Sequence, residues 1–221
     1  MRDILKNPDY FTNFITREVS RMEKYVDVRR TIIEERGEND AAVSEINYNL
    51  FKFSQHILIA SYSMGKSIDE TRLLFHSVCD WFLQVKDVSY ADAVQVVSLC
   101  VLFNYEGYLQ KIVKKVIELN LIDKFMKFLI QDSSLFVNCK GFSEYDKISN
   151  IEKATDKSAV IRTYLSSWYS VNEGSYWYDS HNSKNNVYFG YWCFESAAAV
   201  KILRLSSCDF QDNKYFPQDF L

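Results

Sequence analysis

Only six glycines and two prolines, Pro8 and Pro217, interrupt the 221 residues, and this scarcity limits how many tight turns the chain can make. Average usage over such a length would supply roughly 15 Gly and 11 Pro. An all-β sandwich or barrel needs a turn signal about every 8–12 residues, so long helices are the expectation. Hydrophobic residues make up 48% and charged residues 25% of the chain. That is enough apolar material for one large core or two small ones, and too much for a disordered chain.

Asn7-Pro8 announces the first helix: Asn accepts from orphan N–H groups at an N-cap, and Pro at the first helical position has no N–H to leave unpaired. The helix is expected to reach about Arg36, before Gly37, with Phe11, Ile15, Met22, Val26 and Ile33 on one face and Glu18, Arg21, Lys24 and Arg29 largely elsewhere. From about Asp40 to Met64, the residues Val43, Ile46, Leu50, Phe53, Ile57, Ala60 and Met64 step alternately by 3 and 4. That is the period of a helix with one buried face, and Gly65 suits its C-terminal cap. Ser67-Ile-Asp-Glu70 is a capping box that opens a third helix of about five turns, carrying Leu74, Val78, Trp81 and Phe82. A fourth helix, about Tyr90 to Asn104, is apolar almost all round and reads as a buried central helix; its length disfavours a strand. Past Gly107 a fifth helix is expected from Leu109 to about Ile130, with Lys111, Lys114 and Lys115 outside.

Residues 133–156 are polar and mixed, so they read as a connector between a lobe at 1–132 and a second at 157–221. The second lobe is expected to hold a helix from about Lys157 to Ser170, a polar loop through Asn186, a helix from about Tyr188 to Leu205 and a tail. Between Tyr164 and Phe194, 11 of 31 residues are aromatic. Large rings there supply burial that extra helices would otherwise provide. The expected architecture is all-α: a helical bundle-like N-terminal lobe packed on a small, aromatic-rich helical C-terminal lobe.

A net charge of -3 and a pI near 5.7 argue against a nucleic-acid partner, which would require a clustered Lys/Arg surplus. No apolar run approaches the roughly 18 residues of a membrane span, and the charged start Met1-Arg-Asp-Ile-Leu-Lys6 lacks a signal-peptide core, so a cytoplasmic protein with no membrane partner is expected. Cys79, Cys100, Cys139, Cys193 and Cys208 form an odd set without CxxC, as expected of reduced thiols. The glycines are isolated, so no phosphate-binding loop and no cofactor are indicated. His56, His76 and His181 make no metal-ligand spacing. A Cys193- or His181-dependent hydrolase is the enzymatic alternative, but a thiol inside Tyr191-Trp-Cys-Phe194 reads as core. No enzyme is expected.

Carboxylates are more informative. Residues 37–107 carry four basic side chains against nine acidic ones, a local balance of -5. From these, Glu38, Asp40, Glu45, Asp69, Glu70 and Asp80 are the candidates for steering a basic partner. The competing reading is that Asp40, Asp69 and Glu70 serve as helix caps. Glu195, three residues past Trp192, reads as a structural acid on a shared helix face near the helix N-terminus, bonding N–H groups or a Tyr hydroxyl, and Ala197-Ala-Ala199 permits close approach of another backbone.

Gly190-Tyr-Trp-Cys-Phe-Glu-Ser-Ala-Ala-Ala-Val-Lys-Ile-Leu203, followed by Asp209-Phe-Gln-Asp-Asn-Lys-Tyr-Phe-Pro-Gln-Asp-Phe-Leu221, resembles the C-terminal signature of the PoNi-type immunity proteins of bacterial polymorphic toxin and type VI secretion systems. That signature is Gly-Tyr-Trp-x-Phe-Glu-x-Ala-Ala with a later Tyr-Tyr-Pro-x-Asp-Leu. Phe216 replaces a Tyr, and Phe220 stands before Leu221. The start Met1–Phe11 and the Ile59–Glu70 turn are similar to the family's N-terminal domain. The resemblance implies an all-α protein that binds and neutralises a toxin, typically a DNase.

On this reading the chain is a stoichiometric inhibitor, and an acidic face suits a nuclease whose DNA cleft must be positive. Trp168, Gly190, Tyr191, Trp192, Glu195, Tyr215, Pro217 and Asp219 are assigned to architecture, with the tail folding back so that Tyr215 and Pro217 cover the aromatic segment. The alternative is a helical adaptor or scaffold for an endogenous partner, which would lack a neighbouring toxin gene.

Overall fold

The computed structural model describes residues 1–221 and contains eight α-helices and no strand: α1 Pro8–Arg36, α2 Ala41–Met64, α3 Ile68–Gln84, α4 Tyr90–Phe103, α5 Glu106–Glu118, α6 Lys124–Ile130, α7 Lys157–Val171 and α8 Phe194–Leu203. The all-α expectation holds. No helix is long and apolar enough to cross a membrane. The chain forms two compact units, one of residues 1–88 and 179–190, the other of residues 89–178 and 191–221.

In the first unit, each helix starts on the cap its sequence announces. Asn7 accepts from Tyr10 N–H, Asp40 from Ala42 N–H and Ser67 from Glu70 N–H, with Glu70 returning the bond to Ser67 N–H. Gly65 closes α2 at φ 103°, and a Cβ there would stand 3.0 Å from the Met1 backbone, so both conformation and close approach require glycine. Around Ile32, Val43, Ile46, Leu50 and Phe53 the three helices close a core bordered by Met22, Tyr25 and Trp81.

The buried face of α1 differs from the expected one. Its inward residues are Phe11, Phe14, Glu18 and Ile32, while Val26 is exposed. Glu18 and Arg29, expected outside, are turned inward because each finds partners there. Glu18 is flanked by Arg17 and Arg21, at 2.9 and 3.0 Å, and by His56 at 3.9 Å. Arg29 donates to Asn47 Oδ1 of α2 (2.6 Å) and Gln84 Oε1 of α3 (2.9 Å), tying all three helices at one end.

Residues 179–190 complete this unit. Phe189 stacks on His56 (centroids 4.2 Å, 15° between planes) and meets Phe14 at 6.3 Å. The Ser63 hydroxyl donates to the Phe189 carbonyl, the Tyr188 N–H donates to the Tyr10 hydroxyl, and the Tyr188 hydroxyl donates to the Asp3 carboxylate. The helix expected from Tyr188 therefore starts only at Phe194: the preceding backbone spends its hydrogen-bonding groups on tertiary partners, and Gly190 takes φ 119°.

In the second unit α4 is the central helix, with Ala93, Val94, Val96, Val97, Leu99 and Cys100 at most 1% exposed. It packs against α8, whose Ala197, Ala198 and Ala199 are fully buried. Small side chains let the two backbones approach, as the alanine run suggested. The single helix expected over Leu109–Ile130 is broken in two. Asn120 adopts φ 56°, and Asp123 begins α6 by accepting from Met126 N–H at 2.7 Å and from the Tyr90 hydroxyl at 2.5 Å. A carboxylate that caps and also satisfies a buried phenol outweighs continued helix propensity. Within residues 133–156, 3-10 turns at Ser143–Tyr145 and Ile151–Lys153 bury Tyr145, Ile148 and Ile151.

Candidate partner-binding surface

All six carboxylates singled out for partner contact lie on the first unit, around α2 and α3, but they do not form one cluster. The two helices are antiparallel neighbours, joined across Gly65-Lys66-Ser67, so the start of α2 lies beside the end of α3. Asp69 and Glu70 occupy the first turn of α3, at the far end. Asp69 and Asp80, 11 residues apart on this helix, are separated by about 16 Å along its axis.

Capping accounts for two of the six. Asp40 caps α2 and pairs with Arg36 at 3.6 Å. Glu70 completes the capping box, and its bonds from the Ser67 N–H and hydroxyl lower its pKa. Glu38, Glu45, Asp69 and Asp80 are exposed. Glu45 lines an open groove of about 540 Å³ with Ala41, Ser44, Tyr48, Val85, Lys86 and Asp87. Tyr48 presents a ring 38% exposed to this groove. Tyr48 and Asp87 escaped selection from sequence because only the antiparallel packing of α2 on α3 puts them together.

The motif residues lie in or beside a packed centre. Glu195 is buried in the first turn of α8 and accepts from the Tyr164 hydroxyl (2.8 Å) and the Trp168 indole N–H (2.7 Å) of α7. Trp192 precedes the helix, so the shared helix face expected for Trp192 and Glu195 does not exist. Burial raises the Glu195 pKa, against the opposing pull of its own N–H, Tyr164, Trp168 and the Cys193 thiol. Tyr215 stacks on Tyr169 (5.3 Å, 10°) and lies 5.3 Å from Trp168, while its carbonyl accepts from Cys193 N–H. Trp177 joins the cluster against Trp168 and Tyr191. Gly190, Tyr191 and Pro217 are buried, and Asp219 is exposed.

Cys193 is fully buried, and burial together with the Glu195 charge pushes its thiol well up, away from the thiolate that a nucleophile needs. His181 lies in the 3-10 turn Ser180–Asn182 of the other unit, its ring 6.1 Å from Tyr188. No three His, Cys, Asp or Glu side chains converge as metal ligands.

Sequence reasoning missed the cluster at Glu18. Burial raises this carboxyl's pKa, but His56, Arg17 and Arg21 outweigh it and hold the value at about 2. The Arg17-Glu18 and Glu18-Arg21 spacings are visible in sequence, yet His56 arrives from 38 positions away on α2.

Comparison with known proteins places the chain. The family described as PoNe immunity protein (PoNi), N-terminal, matches residues 2–116, and that described as PoNe immunity proteins (PoNi), C-terminal, matches residues 118–220. No curated protein and no solved structure shows a significant match.

Proposed function

The chain belongs to the PoNe immunity protein (PoNi) family, and from that premise we propose that it binds and neutralises a cognate nuclease toxin, a DNase effector, by stoichiometric inhibition. The observation that carries this reading is the pair of family matches, which together run from residue 2 to residue 220. The toxin is of the polymorphic class that rival bacteria deliver through systems such as type VI secretion. The inhibitor acts in the cytoplasm, where the toxin meets DNA; its five free cysteines are in keeping with a reducing compartment.

A DNA-cleaving site must hold phosphates and is therefore positively charged. Exposed Glu38, Glu45 and Asp80, with Asp87 and the Tyr48 ring, offer such a surface both complementary charge and an aromatic anchor. Charge complementarity of this kind steers encounter and sets specificity. Tyr supplies the packing that concentrates binding energy at interfaces. Asp40 and Glu70 contribute to the local potential while serving the fold.

The test is coexpression with the product of the adjacent toxin gene. We expect a complex of fixed stoichiometry and DNA cleavage that falls linearly to zero as the inhibitor is titrated to equivalence. Undiminished cleavage at saturating inhibitor, or failure to co-purify, would overturn the reading.

A further inference from the structure

The groove at Glu45, Tyr48 and Asp87 is apolar over most of its lining, yet it carries two carboxylates that no ion pair or hydrogen bond engages. Resting on the reading of the chain as a nuclease inhibitor, we propose that this groove is the socket for an arginine side chain of the cognate toxin.

The socket is built from two elements. Ala41, Glu45 and Tyr48 share one face of α2, spaced by four and three residues. Val85, Lys86 and Asp87 supply the other wall, just past the end of α3. Arg29 fastens the two walls to each other: it donates to Asn47 Oδ1 on α2 and to Gln84 Oε1 on α3, and Asn47 Nδ2 donates to the Gln84 carbonyl at 3.3 Å. Walls held in this way need little ordering when a side chain enters between them.

Two unpaired carboxylates on different walls call for a cation that serves both at once. A guanidinium presents several N–H donors in one plane and can reach both acceptors while its face stays available. An ammonium is more strongly hydrated and loses more on entering an apolar groove. The available face suits Tyr48, whose ring is 38% exposed. The same chain already stacks guanidinium groups on rings, with Arg2 4.3 Å over Tyr62 and Arg21 4.4 Å over Phe53. A nuclease must carry cations to hold DNA phosphates, so an arginine drawn into this groove is withdrawn from DNA. Lys86 is the opposing charge on the rim, exposed and unpaired, and its removal should favour the arginine.

Affinity of the full-length protein for the product of the adjacent toxin gene is measured by biolayer interferometry, with inhibition of DNA cleavage followed in parallel. Tyr48→Ala should weaken binding about tenfold or more, and Tyr48→Leu nearly as much, because leucine keeps apolar area without a ring face; Tyr48→Phe should stay within about threefold of wild type. Glu45→Gln combined with Asp87→Asn should weaken binding, and Lys86→Gln should tighten it. All four positions are exposed, so melting temperatures should hold. Each arginine of the toxin is then replaced by lysine, and in double-mutant cycles with Tyr48→Leu one of them should show coupling. The socket is overturned if Tyr48→Leu binds like wild type, if Lys86→Gln weakens binding, or if no toxin arginine couples to Tyr48. Inhibition that persists under those outcomes leaves the inhibitor reading standing, whereas a wild-type protein that binds no toxin removes both.

Discussion

The indole N–H of Trp168 donates to Glu195 Oε1 across 2.7 Å, fixing α7 to the first turn of α8 through a carboxylate that has no cationic partner among its bonds. Both residues belong to the aromatic centre of the second unit, and their bond is a stability element with a pH signature.

Glu195→Ala leaves the Trp168 and Tyr164 donors buried and unpaired, and is expected to cost about 2–4 kcal/mol. Glu195→Gln retains an acceptor oxygen and removes the buried charge, so its stability at pH 7 should lie within about 1 kcal/mol of wild type. Because burial raises the folded-state pKa above 4.5, Glu195 contributes fully below the unfolded value, and that contribution fades as pH rises through the folded value. Urea melts should therefore show wild type gaining on Glu195→Gln as pH falls from 7 toward 4.5. Parallel curves would refute this.

Glu18 works in the opposite sense. Its folded pKa of about 2, against 4.5 unfolded, gives stability that is present above about pH 4.5 and is lost as pH falls through about 2. Arg17 and Arg21 are partly exposed, 38% and 48%, and solvent screening limits the contribution to about 1–2 kcal/mol. Glu18→Gln should flatten the acid limb of the stability curve, measured by denaturant midpoints from pH 5 to 2.

Residues 179–190 belong to the first unit although they lie within the segment that matches the C-terminal family. Phe189→Ala removes a buried ring from His56 and Phe14 and should cost about 3–5 kcal/mol. Hydrogen exchange of the 179–190 backbone should quicken, together with that of α2 near His56 and Ser63. Unchanged protection would show that the segment is held by other contacts.

On the proposed toxin surface, Glu38→Lys, Glu45→Lys and Asp80→Lys combined should slow association with the nuclease by tenfold or more at low salt, with a smaller loss at high salt. The melting temperature should barely change, since all three side chains are exposed. Asp40→Ala should mainly affect the fold, costing about 1 kcal/mol of stability as a lost N-cap and slowing association by less than the triple variant does. Salt-independent binding in the triple variant, equal to wild type, would remove the acidic face from the interface.

Much of the architecture was legible because it depends on local chemistry. Asn7, Asp40 and Ser67 each begin the helix their side chain predicts, Gly65 ends α2, and the 3–4 spacing from Val43 to Ile57 places buried residues correctly. The misreadings share one cause. Arg29 and Glu18 fall off the apolar face of α1 by spacing, but partners on α2 and α3 draw them inward. The backbone before Phe194 looked helical until Tyr10 and Ser63 claimed its hydrogen bonds, and Asp123 divided a continuous apolar pattern by serving Tyr90. The candidate surface was legible as an acidic bias, but the grouping of Glu45 with Tyr48 and Asp87 was not.

Caps, periodicity and the scarcity of Gly and Pro already imply a chain built of helices and where most of them begin, and the Gly190–Ala198 signature points to its family. Packing sets which charged groups are buried, where the Tyr188–Cys193 backbone goes, and which acids share a groove. The division is physical. Caps and periodicity act within a few residues, whereas burying a charge or an N–H depends on a partner that sequence proximity does not reveal.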